Sequence, residues 1–193
     1  MSLIKSAWEI ALEKTKDIQV DPKKIARDAL VEAGRKLAAE FLSEPTETID
    51  KVKQGLAAIP EESKKTFTEG ILGVVLDNIN LPRSKDYKAG FQRVQALASV
   101  LGKPQLDMAL TQIGQFFDQY LMQEDQLADR LKMQYAPQLQ AKQAQLSQQL
   151  GQDIQLQPEQ DPDFLKLLDK TLGQLDAQYG QSLSDFKAKL KTL

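Results

Sequence analysis

Few residues in this sequence have the type and spacing that catalysis needs. Two Ser-x-x-Lys pairs, Ser2/Lys5 and Ser184/Lys187, have the separation at which a lysine can take the proton of an attacking serine. With nine serines and 20 lysines in 193 residues, about one such pair arises by chance. Carboxylates four apart on a helix, at Glu9/Glu13, Asp28/Glu32 and Asp125/Asp129, turn two oxygens to one side, where a hard cation such as Mg²⁺ or Ca²⁺ could bind with further oxygen ligands. Each pair falls on a predicted polar face among basic neighbours and reads as solvated charge. The acidic stretch from Asp153 to Asp163 lacks the glycine and ligand spacing of an EF-hand loop.

The residue types that are missing restrict the chemistry further. Without histidine the chain has neither the usual general base near neutral pH nor the usual transition-metal ligand. Without cysteine there is no thiolate nucleophile, disulfide framework or sulfur-ligated zinc or iron. Serine–histidine and cysteine–histidine nucleophiles and HExxH metal motifs are therefore excluded. The sequence assigns no catalytic residue, no cofactor-binding residue and no metal ligand.

Arg83, Lys85, Lys88, Arg93 and Lys103 surround Tyr87 and Phe91, a mixture that can hold single-stranded nucleic acid by phosphate pairing and base stacking. Both rings, however, share the apolar stripe of a predicted helix, and the net charge is only −2 with the signs interspersed. No nucleic-acid partner is expected. The opening residues Met1 to Glu9 do not read as a secretory signal, because Lys5 and Glu9 interrupt any apolar run. No stretch approaches 18 uncharged apolar residues, so no integral membrane segment is expected and a cytoplasmic setting is the default.

The elements that must carry these residues are all helical, since apolar positions recur every three to four residues and almost nowhere alternate. A first helix is predicted over residues 2–16, with Ile4, Trp8, Ala11, Leu12 and Thr15 on one face; it could lie in a membrane interface, although Glu9, Glu13 and Asp17 cancel its lysines. Asp21-Pro22 starts a second helix running to about Ser43, since Asp caps free amides and Pro at the first position loses no bond. Its small Ala26, Ala33 and Ala38 suggest close approach of another helix. Further helices are predicted from about Pro45 to Ala58, from Pro60 to Asn80, and from a Ser84 cap to Gly102. The segment holding Phe67, Ile71, Leu72, Val74, Val75 and Ile79 is the most apolar and should centre the N-terminal core.

From Leu106 onward the apolar positions step by four and three through Leu110, Ile113, Phe117, Tyr120, Glu124, Leu127 and Leu131, the 3.5-residue period of a helix lying along a partner. This helix should run from Pro104 to Leu150, roughly 70 Å if continuous, with a kink near Pro137. Residues 104–160 hold 17 glutamines and a net charge of −4, against +2 for the rest of the chain. Residues 151–160 read as a loop. Asp161-Pro162 starts a last helix whose seam is expected at Leu165, Leu168, Leu172, Leu175, Tyr179, Leu183, Phe186 and Leu190. The overall expectation is an all-α protein with a bundle of about five helices over residues 1–103 and a long, Gln-rich antiparallel hairpin over residues 104–193. Glu124 stands where the seam calls for an apolar residue; it either sets register, in which case its change to Leu should raise stability and blur the oligomeric state, or lies where the helices diverge and water enters.

Residues 5–16, Lys-Ser-Ala-Trp-Glu-Ile-Ala-Leu-Glu-Lys-Thr-Lys, resemble the start of small uncharacterised bacterial all-helical proteins. The resemblance implies a bacterial cytoplasmic origin and supplies no site. The expected function is that of a non-catalytic scaffold or adaptor that meets protein partners, a second copy of the chain among them, through the hairpin. Its contact residues are expected to be Phe116, Phe117, Tyr120, Glu124, Leu127, Leu131, Tyr179 and Phe186. The alternatives are a helical enzyme or regulator binding a small ligand or Mg²⁺ through Asp, Glu, Lys and Arg, and membrane-surface association through the first helix.

Overall fold

The computed structural model describes residues 21–192, so the first predicted helix, with Trp8, Ser2/Lys5 and Glu9/Glu13, lies outside the described residues. Among the described residues there are six α-helices and no strand: α1 (Pro22–Ser43), α2 (Ile49–Ala57), α3 (Glu61–Asp77), α4 (Tyr87–Ser99), α5 (Pro104–Leu150) and α6 (Pro162–Leu190), with one 3₁₀ turn at Pro158–Gln160. No helix among them is long and apolar enough to cross a membrane. The chain divides into two compact units inside α3, between Val74 and Val75.

In the first unit, Asp21 caps α1 as expected, its carboxylate accepting from the Lys23 amide at 2.9 Å with Pro22 beside it. Ala38, Phe41, Val52, Phe67, Ile71 and Val74 are buried. Of the three alanines expected at a close approach, only Ala38 is buried. Ala26 and Ala33 are exposed, as is Ile25, and the tight crossing runs through Gly34 of α1 and Gly70 of α3. A methyl group at Gly34 would stand 2.1 Å from the Phe67 carbonyl oxygen, and one at Gly70 would stand 2.1 Å from that of Val31. The obstructing atoms are backbone, so neither can yield. Nearby, Arg27 of α1 and Glu69 of α3 pair at 2.9 Å across the exposed side.

In the second unit, α4 begins at Tyr87 rather than at the Ser84 cap, and Asp86 stands at its N-cap without a side-chain bond. Phe91, Val94, Leu97 and Ala98 turn inward from it. Gly102, with φ +63°, takes the left-handed turn that separates α4 from α5. Helix α5 then continues for 47 residues, passing through Pro137 without interruption. Gly151, also left-handed at φ +66°, closes it by donating its amide to the Ser147 carbonyl. The loop beyond is tied down: Gln143 Nε2 donates to the Leu156 carbonyl at 2.8 Å, and Ser147 Oγ accepts from the Ile154 amide at 3.1 Å.

Contacts between α5 and α6 fall in opposite chain order. Phe116 meets Phe186, Tyr120 meets Tyr179, and Tyr135 meets Phe164, with ring centroids 5.9, 5.2 and 5.3 Å apart. Of the predicted seam of α5, Leu106, Leu110, Ile113, Phe117, Tyr120 and Leu131 are buried and Glu124 and Leu127 only partly so, and Tyr135 and Leu139 continue the buried side. On α6 the start of the seam is Phe164, wholly buried, while Leu165 is 45% exposed. Phe164 lies four residues before Leu168, and the four-step continues the stripe, whereas the three-step to Leu165 rotates off it.

Replacing Gly34 or Gly70 by Ala should cost roughly 1–3 kcal/mol through overpacking against rigid backbone. The same change at Gly173, which is helical with open space around it, should gain on the order of 0.5–1 kcal/mol. Chemical denaturation of the three variants measures both signs.

Candidate interaction surface

The residues expected to meet a partner divide by burial. Phe117, Tyr120, Leu131 and Tyr179 are buried within the chain itself, whereas Phe116, Glu124, Leu127 and Phe186 are only partly covered. Phe117 sits edge-on to Tyr87 and Phe91 of α4, at 5.5 and 5.3 Å. Tyr87 donates its hydroxyl to Asp118 Oδ1 at 2.9 Å, and burial together with that carboxylate pushes the phenol up to about 12. Its basic neighbours are engaged as well, Lys88 with Asp118 at 3.1 Å and Lys85 with Asp125 at 2.9 Å. Of the basic and aromatic residues singled out for nucleic acid, Tyr87, Phe91, Lys85 and Lys88 thus serve contacts with α5.

On the α6 side, Phe116 lies 4.8 Å from the Tyr179 ring. A groove of about 230 Å³ opens beside it, lined by Phe116, Gln119, Gln123, Gln178, Tyr179 and Ser182. The lining carries no charge, and the volume is below the ~300–1,000 Å³ of ordinary small-molecule sites. Just past it, Tyr120 donates to Asp176 Oδ1 at 2.6 Å. Burial, then the neighbouring Asp176 and Asp125, hold the Glu124 carboxyl above its ordinary range. Glu124 is therefore a partly buried acid facing other acids, with no cation drawn to it across the seam.

Asp28, Glu32, Asp125 and Asp129 are exposed. Lys187 turns its Nζ to Asn80 Oδ1 at 3.4 Å, and burial lowers its pKa. No group of three or more metal-ligating side chains occurs among the described residues.

The densest polar cluster among the described residues escapes the sequence reading. Lys142 of α5 donates to both oxygens of Asp161, at 2.9 and 2.8 Å, to the Tyr135 hydroxyl at 3.0 Å, and to Asp163. Tyr135 donates to Asp161 Oδ2 at 2.8 Å, and the Asp163 amide donates to Asp161 Oδ1 at 3.0 Å. Asp161, only 5% exposed, is at once the cap of α6 and the counter-ion of α5. It fastens the two helices beside the apolar cluster of Leu131, Tyr135, Leu139 and Phe164. Lys142, with help from Tyr135 and the Asp163 amide, holds the Asp161 carboxyl down to about 2, against the cost of burial. The available signal is that Lys142 is the one basic residue between Lys132 and Lys166.

Because the folded state lowers the Asp161 pKa, the stability it contributes is complete above the ordinary aspartate value and fades as pH falls from about 4 toward about 2. Lys142→Met should lower the unfolding midpoint at pH 7, and the gap to wild type should narrow over that window. Asn at Asp161 in the same variant should recover part of the loss by neutralising the orphaned charge. Glu124 carries the opposite sign. Its raised pKa makes the ionised form destabilising, so Glu124→Gln should gain on the order of 0.5 kcal/mol at pH 7. That gain should shrink as pH falls into the carboxylate range and vanish below the ordinary glutamate value, because the side chain is then protonated in both states. Thermal melts at stepped pH read both effects.

No curated protein and no solved structure matches the chain significantly. A family model described as a family of unknown function, DUF6657, matches residues 53–192, which takes in every helix of the second unit but not the stretch 5–16 that resembles bacterial helical proteins. The chain belongs to this family.

Proposed function

We propose that the protein is a non-catalytic adaptor whose helices in residues 1–103 form a bundle and whose residues 104–193 form an antiparallel helical hairpin that docks on protein partners. The observation that carries the proposal is the outward side of α5, which is exposed over most of its 47 residues while its inward side is already satisfied by α4 and α6. A helix of this length needs its inner stripe for stability; its outer stripe is free for recognition. The glutamine-rich composition suits that task, because amides can donate and accept across an interface without the desolvation cost of charge. The resemblance of residues 5–16 supports a bacterial cytoplasmic setting.

The competing reading, an enzyme or regulator that binds a small ligand or Mg²⁺, has less support. Acids and bases do not converge on the groove beside Phe116, and Lys85 pairs with Asp125 on the exposed surface rather than with the partly buried Glu124.

Two measurements on the full chain test the proposal. A photo-crosslinking residue at Gln126, on the outer side of α5, should give a defined protein adduct in cells of the native host, while one at Lys36 of α1 should give none. A thermal-shift screen with nucleotides and divalent cations should leave the midpoint unmoved. Absence of any adduct at Gln126, or a shift of about 5–10 °C with one ligand, would overturn the proposal, since selective binding at 100-fold excess over Kd is worth about 2.7 kcal/mol.

A further inference from the structure

The outer side of α5 carries a regular stripe. Met108, Met122 and Met133 are 66%, 52% and 71% exposed. Stepping by four and three from Met108 to Met133 visits five positions besides Met122, namely four glutamines and Asp129, and all are exposed. The stripe therefore has its own 3.5-residue period, opposite the buried seam, and a single charge among its eight positions.

The stripe is also self-complementary when reversed. Laid against itself antiparallel about the point between Tyr120 and Leu121, Met108 faces Met133, Gln115 faces Gln126, and Gln119 faces Met122. Asp129 faces Gln112, whose amide can donate to it. The carboxylates that flank the stripe and would repel their counterparts, Asp118 and Asp125, are already neutralised by Lys88 and Lys85. On the other flank the partly exposed Phe116 ring faces Gln123, which brings the two aromatic-lined grooves together at the two-fold axis. A closed two-fold interface requires this property, because the same patch must serve both sides.

We infer that the occupant of this face is a second copy of the chain, docked antiparallel along α5 between Met108 and Met133. The inference rests on the adaptor reading and specifies its partner. The contact is a strip roughly 38 Å long on each copy and at the low end of area for a specific pair. Association in the micromolar range follows from so few apolar anchors. Methionine suits the role, being flexible enough to settle against another side chain without a preformed pocket.

The chain has no cysteine, so introduced thiols report only their own neighbours. Full-length Met108→Cys and Met133→Cys chains, mixed and oxidised, should form a mixed disulfide. Each alone should form little, because like positions lie roughly 38 Å apart along the pair. Light scattering of wild type at tens of micromolar should give a dimer, and Met122→Glu should weaken it at least about tenfold. Circular dichroism of that variant should stay unchanged, and its thermal midpoint should match wild type once both are diluted below the dissociation constant, since Met122 is exposed. A wild-type monomer, a Met108→Cys chain that links to itself, or a dimer indifferent to Met122→Glu would overturn the inference. A monomer that still gives a foreign-protein adduct at Gln126 overturns only the second copy and leaves the adaptor reading standing; the loss of all adducts, or a large ligand shift, removes the reading itself.

Discussion

An α-helix of 47 residues is stable in water only if other helices cover one side of it, because intrinsic helix propensity is too weak to hold it alone. That constraint organises the second unit. The seam of α5 is covered near its start by α4, through Phe91 and Tyr87 on Phe117, and further along by α6, through Tyr179 on Tyr120 and Phe164 on Tyr135. The aromatic rings contribute large buried areas and tilted or edge contacts. Beyond Leu139 apolar cover thins, and the hydrogen-bonded group of Lys142, Asp161 and Tyr135 takes over the fastening.

This division of labour explains why a polar cluster sits at the start of α6. A helix cap satisfies free amides at the start of α6, and the same carboxylate neutralises a lysine on α5, so one residue ends one element and joins it to the next. At the other polar position of the seam the logic is reversed. Glu124 is raised by burial and by like charge, and it gives up stability in the stretch where neither apolar cluster reaches.

Much of this was legible in the sequence because period and punctuation are local. The caps at Asp21 and Asp161, the limits of α5, and the α5 seam follow from spacing and from Pro and Gly chemistry. What was not legible depends on the third dimension. The choice of Phe164 over Leu165 turns on helical phase relative to α5. The crossing at Gly34 and Gly70 requires knowing which faces meet, and of the alanines only Ala38 shares that side of α1 while Ala26 and Ala33 are exposed. Lys142 finds Asp161 only when α6 folds back. Half of the expected contact residues, Phe117, Tyr120, Leu131 and Tyr179, are turned to the chain's own helices. A long apolar seam announces that something will cover it but does not distinguish a neighbour in the same chain from another molecule.

Hydrogen exchange of the full chain at neutral pH, resolved by peptide, tests most directly the claim that α5 and α6 stand by covering each other. If they do, amides in residues 106–139 and 164–190 exchange slowly and with one common opening free energy, and Lys142→Met raises exchange at the start of α6. Rapid exchange throughout α6 beside a protected α5 would contradict the account, because α5 would then be stable without the cover on which its inner seam is held to depend.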